Sequence, residues 1–239
     1  MNSTFDLLGS GKIKLDPINW HIDFKSGYVW DNGLFYKKYK IIDVNNDADV
    51  KLPWELSRAS FLLSLGQAYL LTKDEKYANK IVQFISHWID DNKLMHSINW
   101  TCTMDVSIRA VNWMYALNMI VDSAALTDEV IAKVHRSLLE HGFFIFNNLE
   151  KSFPYSANHY ASNITGLLFI GSLFKDAHFG SVWYKFAKQE YEHELRSQVL
   201  PNGVHFEKSI SYHRLMVELF LYPYLVLKRN NEFVEIDLE

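Results

Sequence analysis

From Pro53 onward apolar residues recur at helical spacing, and before it they do not. Leu56, Phe61, Leu62, Leu65, Tyr69 and Leu70 fall three and four apart behind a proline that suits a first helical turn, up to the turn signal Thr72-Lys-Asp-Glu. Asp74 then stands where an N-cap belongs, ahead of Tyr77, Ile81, Phe84, Ile85, Trp88 and Ile89 on one face. The same period predicts helices over 102–121, 127–148, 157–174, 181–199 and 208–229, with turn signals at Thr127-Asp-Glu, Lys175-Asp and Pro201-Asn-Gly. Seven helices of roughly 15 to 20 residues, joined mostly by short turns, describe antiparallel hairpins packed side by side. Residues 1–50 are rich in Gly, Asp, Asn and aromatics without that period, and read as an irregular segment with at most short strands. The expected fold is mainly α, a bundle or a curved array of hairpins over residues 51–239; no exact sequence repeat supports the array.

Composition narrows what such a fold does. A chain of 239 residues, 49% hydrophobic and 15% aromatic, buries a large core without disulfides or a structural metal. The 24 basic and 28 acidic residues give a net charge of -4, so no broad basic surface for nucleic acid is expected and an anionic ligand must be met by a local cluster. The single cysteine, Cys102, rules out an internal disulfide framework and a multi-cysteine metal site, and reads as a small buried apolar residue. The opening MNSTFDLLGSGKIKLDPINW has no basic start followed by a long apolar run, and no stretch of about 18 apolar residues occurs. Neither a signal peptide nor a membrane span is therefore expected, and the compartment stays open: cytoplasm, or periplasm or exterior if a leader has been removed.

Three polar clusters interrupt the helices. Glu55 and Arg58, beside Trp54, lie at i,i+3 and pair with each other or with a ligand. Asp105, Arg109 and Asn112 fall at i, i+4 and i+7 on one helix face, flanked by Trp100 and Trp113. Such a stripe suits a sugar-binding wall, in which indoles stack on pyranose faces while amides and guanidinium hold hydroxyls or carboxylates. A buried ion pair that orders helix packing is the competing reading. After the Pro201-Asn-Gly turn, His205, Glu207, Ser209, Tyr212 and His213 crowd a helix start. His205, Glu207 and His213, with His159, could be offered as metal ligands, but their spacing matches no zinc signature and no metal is expected. Finally, SANHYASNITGLLFIG runs from Ser156 into an apolar helix; Ser156 as a helix cap, with Asn158 and His159 satisfying free amides, is the plain alternative to chemistry there.

Taken together, Trp54-Glu-Leu-Ser-Arg58, Asn99-Trp100, Met104-Asp-Val-Ser-Ile-Arg109-Ala-Val-Asn-Trp113, Asn158-His-Tyr with Asn163 and Gly166, and Asn202-Gly with Glu207 and Ser211-Tyr212-His213 resemble the N-terminal half of the heparinase II/III family of polysaccharide lyases. The Asn158 to Tyr212 separation is similar to that between the family's catalytic Asn and Tyr. The resemblance implies an incomplete (α/α) toroid with a cleft between helix ends, normally followed by a β-sandwich domain that this chain, ending at Glu239, would lack. It also implies an acidic, uronate-containing polysaccharide as partner and no cofactor. The implied reaction is β-elimination: the C5 proton is removed, the 4-O substituent leaves, and an unsaturated sugar end remains. By resemblance Asn158 neutralises the uronate carboxylate, His159 is a second donor or a base, and Tyr212 carries the proton, its phenol made more acidic by His205, His213 and Arg214. Trp54, Glu55, Arg58, Trp100, Arg109, Asn112, Trp113, His205, Glu207 and His213 are the candidates for holding the glycan. Two other classes fit the same clusters: a carbohydrate-binding helical domain without catalysis, and a glycoside hydrolase using Asp105 and Glu207 as paired carboxylates. The Asn-x-Ser/Thr triplets at Asn2 and Asn163 are weak glycosylation signals, the second inside a predicted helix.

Overall fold

A computed structural model of the chain describes residues 4–14, 17–153 and 156–232. Among them the strands are β1 (Thr4–Phe5) and β2 (Ile13–Lys14), one short antiparallel pair. Eight α-helices follow: α1 (Lys51–Arg58), α2 (Phe61–Thr72), α3 (Glu75–Asp91), α4 (Thr103–Met119), α5 (Asp128–Asn147), α6 (Asn158–Leu173), α7 (His178–Gln198) and α8 (Ile210–Arg229). No helix among the described residues is long and apolar enough to cross a membrane. The chain divides into two compact units, 1–140 and 141–239.

In the first unit, the stretch expected to be one helix from Pro53 to Leu70 is two. Ala59 adopts a left-handed φ of 56°, its N–H bonded to Leu56 O, which ends α1 before α2 restarts at Phe61. A left-handed alanine is unfavourable, and no glycine or proline marks the place, so the hydrophobic period runs through the break unaltered. The Asp74 cap forms as expected, with Oδ1 accepting from Lys76 N at 3.0 Å. α2 packs on α3 and α4, and α1 on α4, around buried Leu56, Leu62, Ile81, Ile85, Trp88, Val106 and Trp113. The N-terminal segment is tied to these helices by side chains. Trp20 Nε1 donates to His87 Nδ1 at 2.8 Å, and Asn99 Nδ2 donates to Trp20 O at 2.8 Å and to Asn92 Oδ1 at 2.9 Å. Thus the Asn99-Trp100 motif holds the irregular segment in place, which apolar periodicity could not do there.

In the second unit, α6 is buried on all sides from Asn158 to Gly171, apart from His159. A helix covered all round needs no polar face, which is why its sequence reads as an unbroken apolar run. Gly171 permits the close approach of α7: a Cβ there would meet Tyr184 N at 2.7 Å. α8 runs antiparallel to α7, with Tyr191 Oη donating to Phe220 O at 2.9 Å and Asn230 Nδ2 to Tyr184 Oη at 3.2 Å. α6 and α8 are therefore parallel neighbours, joined where Thr165 Oγ1 donates to Leu219 O at 2.9 Å and Asn230 Nδ2 to Ser172 Oγ at 3.3 Å. Counting seven residues back from Thr165 and from Leu219, about two helical turns on each, reaches Asn158 and Tyr212. These two residues thus stand at the same end of adjacent helices, whose axes pack about 8–10 Å apart.

Candidate functional site

The tryptophan-flanked stripe of the first unit turns inward. Trp100 and Trp113 are 0% and 1% exposed, and their rings lie 5.8 and 5.2 Å from that of Trp88. Arg109, also 0% exposed, stacks its guanidinium 3.9 Å above Trp88 and 5.3 Å from Trp100, with Nη1 donating to Ser57 Oγ at 3.1 Å and to Asn99 O at 3.3 Å. Burial, only partly countered by Asp105, pushes its pKa down to about 9. The expected sugar-binding wall of Trp100, Arg109 and Trp113 is thus a buried cation–π stack whose ring faces are covered by protein. Asn112, half-buried, donates to Arg58 O at 2.8 Å, and Trp54 turns its indole N–H to Ile98 O at 3.0 Å and Thr101 Oγ1 at 3.1 Å. Both are occupied with helix ends.

Glu55 and Arg58 do reach solvent. Arg58 Nη1 meets Glu55 Oε2 at 2.9 Å, while its Nε donates to the Asp105 carboxylate, which is 1% exposed. Burial opposes the Arg58 charge, but Asp105 and Glu55 more than offset it and raise its pKa above the ordinary value. Asp105 is therefore the buried counter-ion of Arg58. This removes it from the role of a solvent-facing carboxylate, and with it the hydrolase reading.

The polar cluster of the second unit gathers at the starts of α6 and α8. The expected Ser156 cap does not form: Ala157 holds the N-cap position without a side-chain bond, and Ser156 Oγ turns to Ser152 O at 3.4 Å. The first amides of α6 are left without a side-chain cap, and the helix dipole makes that end partly positive. Asn158 opens the helix, 6% exposed, and its side-chain amide makes no hydrogen bond among the described residues. His159 is half exposed, with Nδ1 3.0 Å from Glu150 Oε1. Tyr160 is turned inward, its hydroxyl donating to Glu190 Oε2 at 2.5 Å beside Lys151 Nζ at 2.7 Å; burial, then that carboxylate, raises its pKa far above the usual phenol range. Tyr212 is the contrary case. It is 47% exposed, and its hydroxyl has no partner among the described residues, while its backbone N–H is capped by Ser209 Oγ at 3.4 Å.

His205 lies beneath this surface. The Pro201-Asn-Gly turn, closed by Leu200 N to Val204 O at 2.9 Å and using a positive φ of 79° at Gly203, folds it back on the end of α7. There Nε2 meets Gln198 Oε1 at 3.0 Å, and Gln198 Nε2 donates to Glu194 Oε2 at 2.6 Å. Since the Gln198 amide spends its nitrogen on Glu194, its oxygen faces His205, whose Nε2 must carry the proton. His205 Nδ1 is then a buried acceptor with no partner among the described residues, and the residue is only 2% exposed. His205 thus supports the surface from behind and is not placed to touch a glycan. Its backbone N–H donates to Nδ1 of half-buried His213 at 3.4 Å, and half-buried Glu207 shares the same turn.

Three residues of this unit had no signal in the sequence: Glu150, in a loop without period, and Glu194 and Gln198, an ordinary polar i,i+4 pair at a helix end. Asn163 is 0% exposed and spends both ends of its amide on Glu150, so the glycosylation triplet there is closed; the triplet at Asn2 begins outside the described residues.

Burial, reinforced by His213 and opposed by Glu207, lowers the pKa of His205. The unfolded chain then takes up a proton near pH 6.5 that the folded protein refuses. Stability is accordingly expected to be full above that pH and to fall as pH drops from it toward the lower folded value. Urea midpoints at pH 7.5, 6.5 and 5.5 check this, and His205→Gln should flatten the decline.

Comparison with known proteins agrees with this architecture. Residues 12–237 match the family described as Heparinase II/III N-terminus. The heparin-sulfate lyase of Pedobacter heparinus is 26% identical over 188 residues, covering 77% of this chain and 28% of that protein. That of Bacteroides thetaiotaomicron is 23% identical over 173 residues, covering 70% and 24%. The crystal structure of heparan sulfate lyase HepC from Pedobacter heparinus superposes with a TM-score of 0.71 at 23% identity, over 96% of this chain and 33% of that one. The chain thus spans about a quarter of the length of these relatives and a third of that solved chain. The structural likeness shows the mainly α, (α/α)-toroid class of fold expected from the sequence.

Proposed function

This chain belongs to the heparinase II/III family of polysaccharide lyases, and on that premise we propose that it binds a heparan-type, uronate-containing glycan at the starts of α6 and α8 and takes part in its β-elimination. The observation that carries this reading is Asn158: a nearly buried amide, unbonded to protein among the described residues, at the uncapped start of a helix and level with the unpartnered hydroxyl of Tyr212. A ligand oxygen is able to accept from this amide, which no described protein group does.

The C5 proton of a uronate is only weakly acidic, because its removal places charge on the adjacent carboxylate. The Asn158 amide and the partly positive α6 terminus supply donors where that charge develops. A base removes the C5 proton, the C5–H electron pair becomes the C4–C5 double bond, and the C4–O bond breaks with its electrons going to the leaving oxygen, which then takes up a proton. In this reading Tyr212 carries one of these protons, with Arg214 as a cationic neighbour in the same turn of α8.

The test is a digest of heparan, chondroitin, hyaluronan and alginate chains, read as the near-ultraviolet absorbance of unsaturated uronate ends. Absorbance growing on heparan is the expected result. Saturated reducing ends without absorbance would indicate hydrolysis, and bound glycan without product would indicate a carbohydrate-binding domain.

A further inference from the structure

We propose that the N-terminal segment carries a second glycan site: the cavity lined by Tyr28, Tyr39 and the lysines of Lys38-Tyr-Lys40 takes one pyranose ring of an acidic glycan, whose carboxylate or sulfate meets Lys38 and Lys40. The ligand class rests on the functional reading above. The site itself shares no residue with the starts of α6 and α8 and lies wholly within the first unit.

A fixed floor and two anchored walls make the cavity. Trp30, 8% exposed, clusters with buried Val50 and Ile98, and Tyr39 and Ala48 pack against that cluster. Trp30 N donates to His21 O at 2.9 Å and Ile22 bridges Val29, so a short hairpin brings Tyr28 beside the indole, their rings 4.9 Å apart at 72°. The other wall follows the short 3₁₀ turn Tyr36–Lys38. It is pinned to the loop between α3 and α4, where Tyr36 N donates to Met95 O at 2.8 Å and Ser97 N to Leu34 O at 3.2 Å. The Tyr39 hydroxyl donates to Asp31 O and ties the two walls together. The enclosed space is about 260 Å³, below the ~300–1,000 Å³ of pockets that hold drug-sized ligands, and suits a single sugar ring.

The lining carries both halves of sugar recognition. Tyr28 is 42% exposed and Tyr39 half-buried, so aromatic surface borders the cavity for the C–H face of a pyranose. Asn46 Oδ1 accepts Ala48 N at 3.0 Å, which fixes the amide so that Nδ2 is a donor for a sugar oxygen. Both lining carboxylates are engaged by their own loops: Asp31 Oδ1 accepts Gly33 N at 2.7 Å, and Asp43 Oδ1 accepts Asn45 N at 3.0 Å and Asn45 Nδ2 at 2.9 Å. The two lysines are not so engaged. Lys38 and Lys40 are exposed and close no ion pair among the described residues, whereas Lys73, Lys76, Lys133, Lys151 and Lys188 each do. In a chain of net charge -4 an anion has to be met locally, and two uncommitted ammonium groups beside aromatic rings form such a cluster. A neutral sugar would leave both without a counter-charge.

The experiment is a backbone 1H–15N titration of the full chain with a heparin tetrasaccharide, with chitotetraose as the neutral probe. Amide signals of residues 28–46 are expected to shift with the first and not with the second. Tyr28→Ala, and separately Lys38→Ala combined with Lys40→Ala, should weaken that response at least tenfold; all three side chains are exposed, so Trp30 and the core stay in place. A fully desulfated heparin tetrasaccharide tells the two anions apart: binding assigns the carboxylate to the lysines, and failure beside bound heparin assigns the sulfate, either of which supports the site. Silent signals over 28–46, an equal response to chitotetraose, or undiminished affinity in both variants would overturn it. The same spectra separate this proposal from the functional reading. A response over 28–46 with none at the starts of α6 and α8 would defeat the glycan site there and leave this one standing, and the reverse pattern would defeat this one alone.

Discussion

Tyr212→Phe is expected to keep the fold and the glycan affinity while lowering the rate of elimination by about 10² to 10⁴, the usual range for losing a general acid or base. The change removes a single hydroxyl from a half-exposed side chain that has no partner among the described residues, so no internal hydrogen bond is lost with it. Asn158→Ala should do comparable damage by another route: the loss of one donor to a developing oxyanion, which costs roughly 3–4 kcal/mol. Combined, the two should be less than additive, because both act on one transition state. The measurement is the growth of unsaturated-uronate absorbance in the longest form of the protein that turns over heparan, since this chain spans about a quarter of the length of its relatives. Near wild-type rates in Tyr212→Phe would show that Tyr212 is not the proton carrier.

Arg109→Ala carries the largest expected effect on stability. The guanidinium is fully buried between Trp88 and Trp100, bonded to Ser57 and Asn99, and beside the buried carboxylate of Asp105. Truncation removes the stack, strands those partners and leaves Asp105 with less positive charge nearby. The loss is expected to be about 3–5 kcal/mol, the range for breaking a buried charged arrangement from one side. Arg109→Lys should recover little of it, because an ammonium lacks the planar group that lies on the indole. Urea denaturation gives the number. A midpoint within error of wild type, together with weakened oligouronate binding, would return Arg109 to the glycan-binding role suggested by its place on a polar stripe.

The contrast between Arg109 and Tyr212 shows how far spacing carries a functional reading. Asp105, Arg109 and Asn112 do share one face of α4, as i, i+4 and i+7 require. That face turned out to be covered by α1 and by the loop before α4, with Arg58 and Asn99 as its partners. A helical period states angles about the helix's own axis, and nothing in it says which neighbour lies across from a given face. At the start of α8 the ambiguity was smaller. Tyr212 lies in the first turn, flanked by residues that end a loop, and a helix end is less easily covered than a helix side. The break at Ala59 was invisible for a related reason: a left-handed residue without glycine or proline leaves no mark on the hydrophobic pattern.

What the chain determines by itself is the helical stretches and the turns between them, apart from the break at Ala59, together with the Asp74 cap and the mainly α class, because apolar period, capping residues and turn residues act within a few positions of one another. The common end shared by Asn158 and Tyr212 needed the structure as well: sequence order makes α6 and α8 parallel across one antiparallel helix, but only the Thr165–Leu219 contact, with equal counts back from it, brings the two residues level. Tertiary structure alone decided which polar side chains were interior, that His205 leans on Gln198 and Glu194, and that Glu150 meets His159 across a loop. Those bonds join residues brought together by packing, where direction and burial depend on every neighbouring element at once and leave no periodic trace in the chain.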